Sequence, residues 1–346
     1  MSKPSQRLLS LQGSMLGTAV GDAIGLPGEG VSRRRAAAMW PDVRHRLVFG
    51  RGMFSDDTEH TLMIATSLLE EGDDTGMFQR IFARKLRWWM LALPAGVGLS
   101  TARAIFRLWL GLPVRLAAVR SAGNGAAMRS AIIGAYFSGN AEKRKEFALA
   151  ACRVTHTDPR AEESALLVAE AAALATRNVP TEPVLLELEK WISSDEMISR
   201  FEMLKKGLGE NWSVPEYAAH IGCENGVSGF APNTVAVALY AWLRHRESYE
   251  EAISSVVVCG GDTDSVAAIT GGICGAELGE PGIPAAWLDG ICDWPRSVGY
   301  IRSLATALAD QTHQPPRLVI PAILLRNMVF LIIVILHGLR RLLPPY

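Results

Sequence analysis

The chain has 346 residues, of which 49% are hydrophobic and 20% are charged, as expected for a globular protein with one large core or two moderate ones. Basic and acidic residues both number 35, and this balance argues against a general binder of nucleic acid or anionic membranes whose affinity comes from excess positive charge. The five cysteines include no C-x-x-C pair, which argues against a zinc ribbon or a disulfide framework and favours a reducing compartment such as the cytoplasm.

Apolar residues recur at helical spacing along most of the chain, and clean alternation is scarce. The pattern predicts an all-α protein. Nothing in the composition marks a boundary before about residue 312, so we predict one domain over residues 1–312 and a hydrophobic tail over residues 313–346. The predicted helices cover residues 8–24, 57–71, 77–92, 126–138, 144–154, 160–176, 182–208, 232–245, 263–277 and 297–310.

The run from Val256 to Val258 offers an alternative, a buried strand that leads into a phosphate-binding glycine turn. The "GGDTDS" that follows lacks the Gly-Lys-Ser/Thr ending such a turn needs, and its acidic residues would repel phosphate. We therefore keep the all-α prediction.

Two acidic clusters stand at predicted helix starts. Asp56 and Asp57 lie in "FSDDTEHTLM", and Asp262 and Asp264 lie in "GGDTDS". Each pair could cap its helix, because acidic side chains accept hydrogen bonds from the free N–H groups of a first turn. Carboxylate and hydroxyl oxygens are also the hard ligands that Mg²⁺ or Mn²⁺ prefers. If the fold brings the two clusters together, their repulsion requires cations between them.

Five motifs in this order resemble the ADP-ribosylglycohydrolase family, which includes the dinitrogenase-reductase-activating glycohydrolases. They are "GDAIGLPGE", "SDDT", "GNGAAMR", "THTDP" and "GGDTDS", spread over roughly residues 8 to 310. The resemblance implies a compact orthogonal helical bundle with two Mg²⁺ or Mn²⁺ ions in a cleft. It also implies cleavage of the bond between C1″ of ADP-ribose and an acceptor atom.

The resemblance also implies which residues bind the metals and carry out catalysis. One ion is expected on Ser55, Asp56, Asp57 and Asp264, and the second on Asp262, Asp264 and Ser265, with Asp264 as the bridge. Glu29 closes the first motif and resembles the acidic residue at the cleft mouth, although a solvated loop carboxylate is the alternative. Either Asp57 or Glu29 is expected to act as the general acid/base.

Substrate contacts are expected mainly from the middle motifs. The N–H groups from Gly123 to Ala126, at a predicted helix start, offer an anion site for a diphosphate. Arg129 could complement that site or pair with a carboxylate inside the protein. His156 could meet the diphosphate or distal ribose, or cap the next helix. Phe230 could stack on adenine or pack in the core. The full expected set is Gly123, Asn124, Gly125, Met128, Arg129, His156 and Phe230.

Two other functions stay open at the sequence level. One is a dinuclear-metal nucleotide phosphohydrolase, because acidic two-metal sites serve that reaction too. The other is a non-catalytic ADP-ribose-binding protein on the same fold. The acceptor also stays open among ADP-ribosyl-arginine, ADP-ribosyl-serine, O-acetyl-ADP-ribose and other small conjugates, and no nucleic-acid partner is expected.

The C-terminal segment contains nine consecutive apolar residues, from Met328 to Leu336, followed by Arg340 and Arg341. A spanning helix needs about twenty apolar residues, and Arg326 and Asn327 interrupt the longer run. We predict a hydrophobic helix within residues 318–341 that is exposed, self-associating or peripheral to a membrane, with a core helix as the alternative.

Overall fold

Eighteen α-helices make up most of the chain that the computed structural model describes, namely residues 5–40, 42–70, 73–312 and 314–343. No β-strand occurs in these residues, so the all-α prediction is confirmed. The helices are α1 (Gln6–Gly25), α2 (Arg33–Met39), α3 (Asp56–Glu70), α4 (Thr75–Leu91), α5 (Leu99–Trp109), α6 (Val114–Ala117), α7 (Ala131–Tyr136), α8 (Ala141–Cys152), α9 (Pro159–Thr176), α10 (Thr181–Glu189), α11 (Asp195–Gly209), α12 (Val214–His220), α13 (Ala231–Arg244), α14 (Tyr249–Val257), α15 (Thr263–Leu278), α16 (Ala285–Gly290), α17 (Val298–Asp310) and α18 (Ile320–Arg340).

Two helix predictions are wrong, and the strand that we rejected is also not observed. The helix expected over residues 182–208 is two helices, because the Ser194 hydroxyl accepts a hydrogen bond from the N–H of Met197 and starts α11. The helix expected over residues 126–138 is a short 3₁₀ turn followed by α7. The strand considered at Val256–Val258 is instead the end of α14, with the valine side chains on different faces.

Helices α1 and α15 run antiparallel with their backbones in direct contact. Glycines recur every fourth residue on α1, and two glycines face them on α15, so no side chain separates the two helices at these positions. A Cβ atom on Gly17 would lie 2.1 Å from the carbonyl oxygen of Gly271, and one on Gly271 would lie 2.3 Å from that of Gly17. The glycines in this contact are Gly13, Gly17, Gly21 and Gly25 on α1 and Gly271 and Gly275 on α15.

This antiparallel contact places the end of α1 against the start of α15. The Thr263 hydroxyl donates a hydrogen bond of 2.7 Å to the carbonyl of Gly25. The loop that leaves α1 carries Glu29, and the first turn of α15 carries Asp264. Two motifs that are more than 230 residues apart in sequence therefore meet at one edge of the core.

Helix α18 packs back onto the rest of the protein along one face. Phe330 is buried against Leu26, Met53 and Ala95, and Arg326 and Asn327 are buried beside it. The opposite face of α18 is apolar and exposed. One face of the tail helix therefore joins the core and the other is exposed, whereas self-association and membrane contact stay predictions.

We expect the glycine contact to tolerate no side chain. Gly17→Ala should lower the free energy of unfolding by about 2 to 4 kcal/mol, because the new methyl would overlap a backbone carbonyl. The matched control is Gly209→Ala on α11, where no atom lies within 4 Å of the added Cβ. Because alanine favours helices, this control should change stability by no more than about 1 kcal/mol, in the stabilising direction. Chemical denaturation measures the free energy of unfolding of both variants. Equal losses of stability in Gly17→Ala and Gly209→Ala would contradict the close contact.

Candidate active site

A cleft opens where the first turns of α3 and α15 meet the loop that follows α1. Most of the residues predicted for the site line it. Those are Glu29, Asp56, Asp57, Gly123, Asn124, Gly125, Met128, His156, Asp262, Asp264 and Ser265. The sequence did not indicate the wall between α4 and α5, which adds Gly96, Gly98, Leu99, Ser100 and Thr101.

The first turn of α3 is capped by Asp22, a fully buried residue of α1 that the sequence did not single out. Its carboxylate accepts hydrogen bonds from the N–H groups of Ser55 at 2.9 Å and Thr58 at 3.1 Å, and from the Thr58 hydroxyl at 2.6 Å. Burial raises the pKa of Asp22 to about 6, although these hydrogen bonds oppose the shift. Asp22 thus takes the capping role that was one alternative for Asp56 and Asp57.

Asp57 is held by hydroxyl groups from both acidic clusters. Its Oδ2 accepts hydrogen bonds from Ser55 Oγ at 3.1 Å and from Ser265 Oγ at 3.3 Å. Its Oδ1 is buried without a hydrogen-bond partner, as is Oδ1 of Asp264. Two orphaned carboxylate oxygens in one cleft are costly unless a cation or water binds them.

The electrostatics of the cleft also fit a cation. Burial, reinforced by repulsion from neighbouring carboxylates, raises the pKa values of Asp56, Asp57 and Asp264 well above the usual range. Within the described residues, no three His, Cys, Asp or Glu side chains are grouped closely enough to hold an ion. A bound ion would therefore require these side chains to change rotamer. The donor set of carboxylates and hydroxyls fits Mg²⁺ or Mn²⁺.

Asp262 is held from the opposite wall of the cleft. The Asn124 side-chain amide donates a hydrogen bond of 2.7 Å to Asp262 Oδ2. Gly260 and Gly261 precede Asp262 with φ angles of +73° and +84°, and a Cβ on Gly261 would lie 2.1 Å from the carbonyl oxygen of Val227. These glycines therefore allow a close approach between two stretches of protein backbone.

Glu29 lies at the cleft rim. Burial of its carboxyl group and the charge of Asp262 raise the pKa of Glu29, while the cationic Arg341 acts in the opposite direction. Arg341 Nη1 also donates a hydrogen bond of 2.6 Å to the Glu29 carbonyl, so residues just beyond α18 brace this loop. Glu29 is thus an acid of raised pKa at the entrance to the cleft.

His156 packs beneath the glycine loop of the cleft. A Cβ on Gly125 would lie 3.1 Å from His156 Cε1, and Nδ1 of the ring lies 2.8 Å from the Thr155 hydroxyl. Burial, together with the charge of Arg129, lowers the pKa of His156 to about 3. The ring is therefore neutral near pH 7, and it can offer a ligand hydrogen bonds but no charge.

Two residues predicted to contact the substrate are not among those that line the cleft. Arg129 is fully buried behind it, where its guanidinium donates to the carbonyl of Ala151 and the hydroxyl of Thr155. Phe230 lies next to the cleft wall, but the guanidinium groups of Arg160 and Arg200 lie 5.4 and 5.7 Å from its ring centroid. The burial of Arg129 therefore excludes its direct contact with a ligand. The ring of Phe230 packs against two guanidinium groups in this structure.

The predicted anion site is also smaller than expected. The N–H of Gly123 donates to Ser121 Oγ, and the N–H of Asn124 donates to the carbonyl of Gly229. These two groups are therefore not available to a diphosphate. The helix start expected here is a three-residue 3₁₀ turn, whose dipole is too small to contribute much to binding an anion.

A second charged layer lies beneath the cleft and includes α18. Arg326 Nη2 donates to the carbonyl of Phe54 at 2.6 Å, directly before the "SDDT" turn. The same guanidinium pairs with Asp293 and Glu59, and Glu59 also pairs with Arg296 at 2.5 Å. These residues are buried, so the tail helix supplies a structural cation under the predicted metal ligands.

Comparison with known proteins gives four consistent matches. The model of the ADP-ribosylglycohydrolase family matches residues 4–325. An uncharacterized protein of Archaeoglobus fulgidus is 33% identical over 307 residues, covering 86% of this chain and 94% of that protein. The ADP-ribosyl-[dinitrogen reductase] glycohydrolase of Rhodospirillum rubrum is 25% identical over 285 residues, covering 80% of this chain and 88% of that enzyme. A solved structure of an ADP-ribosylglycohydrolase-related protein complex is 30% identical with a TM-score of 0.70, covering 89% of this chain and 99% of that one.

We expect Arg326→Met to lower the free energy of unfolding by about 3 to 5 kcal/mol, because it leaves buried carboxylates short of a cation. The control is Arg302→Met, whose ion pair with Glu280 is largely exposed and should contribute less than about 1 kcal/mol. Adding Asp293→Asn to Arg326→Met should recover part of the loss, because one unpaired charge is then gone. Equal effects of the two single variants in urea denaturation would contradict the buried network.

Proposed function

Because the chain belongs to the ADP-ribosylglycohydrolase family, we propose that it is a metal-dependent hydrolase that cleaves the C1″ glycosidic bond of an ADP-ribosylated protein or small molecule. The family and the helical-bundle fold predicted from the five motifs are confirmed, and with them an enzyme of the ADP-ribosyl hydrolase class. We propose, in addition, the metal requirement, the class of acceptor and the role of each residue.

The strongest support for this function is that Asp57 and Asp264 each have a buried carboxylate oxygen without a hydrogen-bond partner. Neither acidic pair is consumed by helix capping, since Asp22 caps α3 and Asp262 makes no side-chain hydrogen bond to the first turn of α15. Acidic side chains buried in a cleft without a structural task are best explained by a ligand that neutralises them.

Two ions would be held by residues from both clusters. Mg²⁺ or Mn²⁺, when bound, would neutralise the carboxylates, hold the 2″ and 3″ hydroxyls of the ribose and activate water. One ion would take Ser55, Asp56, Asp57 and Asp264, and the other Asp262, Asp264 and Ser265. Asn124 would keep Asp262 oriented through its hydrogen bond.

The position of Glu29 supports it as the general acid/base. Its pKa is raised by burial and by the charge of Asp262, which makes it a better proton acceptor than an ordinary glutamate. It can give a proton to the departing acceptor atom and take one from the attacking water. Asp57 is tied to the hydroxyls of Ser55 and Ser265, which supports a role as a metal ligand. Negative charge around the ribose also favours the oxocarbenium-like transition state.

The rest of the substrate would lie along the glycine loop. The diphosphate would lie in the part of the cleft that Gly123, Gly125 and the neutral ring of His156 line. Met128 lines the same part of the cleft. We place the protein in the cytoplasm, a proposal supported by five free cysteines.

Metal binding should be visible in stability as well as in activity. Millimolar Mg²⁺ or Mn²⁺ should raise the melting temperature of the wild type, by an increment that grows as RT ln(1 + [M]/Kd). Asp56→Asn or Asp264→Asn should abolish that increment and the release of ADP-ribose while preserving the fold. The control is Asp74→Asn, because Asp74 does cap a helix and asparagine caps nearly as well. An unchanged metal shift and retained activity in the site variants would contradict the metal role.

Glu29→Gln separates catalysis from metal binding. If Glu29 is the acid/base, kcat should fall by about 10² to 10⁴-fold while the metal-induced melting shift stays. Loss of the shift together with activity would make Glu29 a ligand instead. The assay uses defined ADP-ribosyl conjugates of arginine, serine and acetate. Free ADP-ribose supports glycosidic cleavage, whereas AMP plus ribose phosphate would identify a phosphohydrolase.

A further inference from the structure

The outer face of α18 is apolar and exposed along most of the helix. Within the described residues, α18 alone is long and apolar enough to cross a membrane, judged by length and composition, and only 22% of its most apolar window is buried. Ile332 and Leu336 are 57% and 59% exposed. The exposed face includes Leu324, Leu325, Met328, Ile332, Leu336 and Leu339.

The contacts of the inner face hold α18 flat against the protein. Arg326 and Asn327 anchor its first half, and His337 Nε2 lies 3.1 Å from the carbonyl of Pro27 near its end. A spanning orientation would have to pull Arg326 out of its ion pairs and place it in hydrocarbon. The helix therefore presents its apolar side while staying docked.

Charge is distributed unevenly around this face. The chain has no net charge, yet residues 75–141 contain no Asp or Glu, and residues 75–120 contain eight Lys or Arg. Residues 311–346 likewise contain no acid and four arginines, of which Arg326 is buried in ion pairs and Arg317 and Arg340 are exposed. The zero net charge of the chain therefore includes two basic segments. The argument from net charge against binding to anionic membranes does not apply to the part of the molecule that these segments form.

The two basic segments meet in the structure. The Asn327 side chain donates a hydrogen bond of 2.8 Å to the carbonyl of Ala92, which directly follows α4. Leu91 and Leu93 flank that point and are exposed, and Trp88, one turn earlier, is 68% exposed. The exposed side of α5 continues the pattern with Leu99, Arg103, Phe106 and Leu110.

We propose that the outer face of α18, together with the exposed sides of α4 and α5, binds the surface of an anionic lipid bilayer. Apolar and aromatic side chains interleaved with arginines suit the headgroup region, where rings and aliphatic chains insert and guanidinium groups meet lipid phosphates. A second copy of the chain is a poorer occupant, because a two-fold contact would set basic segment against basic segment.

This surface borders the cleft. Leu99 lines the cleft and also begins the exposed side of α5, and Arg341 beyond α18 reaches the Glu29 carbonyl at the rim. A protein bound through this face therefore holds its cleft beside the headgroups. The membrane proposal does not depend on the proposed reaction, since it rests on the surface alone.

The test is cosedimentation of the full chain with vesicles of phosphatidylcholine alone or mixed with phosphatidylglycerol. The wild type should bind the mixed vesicles at least tenfold more tightly than the neutral ones, and high salt should weaken that binding. The double variant Ile332→Glu/Leu336→Glu should lose at least tenfold in binding. The control Leu186→Glu alters a residue that is 64% exposed on α10, and it should bind like the wild type.

Circular dichroism melting, together with ADP-ribose release, confirms that each variant is folded. No binding by the wild type, equal binding to neutral vesicles, or equal loss in Leu186→Glu would overturn the proposal. So would a stable dimer that the double variant converts to monomer, since the face would then be covered by a second copy. Resistance of the bound protein to alkaline carbonate extraction would instead indicate a spanning helix.

Discussion

The backbone contact between α1 and α15 is the constraint on which the rest of the structure depends. Facing glycines such as Gly17 and Gly271 let the two helices approach without intervening side chains. Because the helices are antiparallel, that approach sets the distance between the loop after α1 and the first turn of α15. A bulkier residue in the contact would separate Glu29 from Asp264 and open the cleft before any ligand entered it.

The structure has two layers of buried carboxylates, which differ in whether arginines pair with them. In the lower layer, Glu59 and Asp293 are neutralised by Arg296 and Arg326, so they contribute to stability. In the upper layer, Asp57 and Asp264 have neighbouring carboxylates and hydroxyls but carry oxygens without partners. Arg296 and Arg326 lie one layer below the cleft and pair with Glu59 and Asp293. Neither arginine neutralises the carboxylates of the cleft, for which we propose an external cation. The tail helix belongs to this arrangement because it provides Arg326.

The sequence predicted what local patterns and motif order encode. It indicated the helical class, most helix positions and the two acidic clusters that the structure brings together. It did not indicate Asp22 or Arg326, because their roles depend on partners that are more than 30 and 260 residues away. The local sequence was also misleading for Arg129, for which we predicted a substrate contact. This residue follows a glycine-rich stretch, but its side chain points into the core. The polar interruption at Arg326 and Asn327 was the one sequence signal that α18 has a face directed toward the protein.

We propose that the two acidic turns form one dinuclear metal site, and anomalous scattering from crystals grown with Mn²⁺ would locate the ions. We expect two peaks roughly 3.5 to 4 Å apart, one beside Asp56 and Asp57, the other beside Asp262, with Asp264 between them. A single surface peak, or no peak in the cleft at millimolar Mn²⁺, would contradict it.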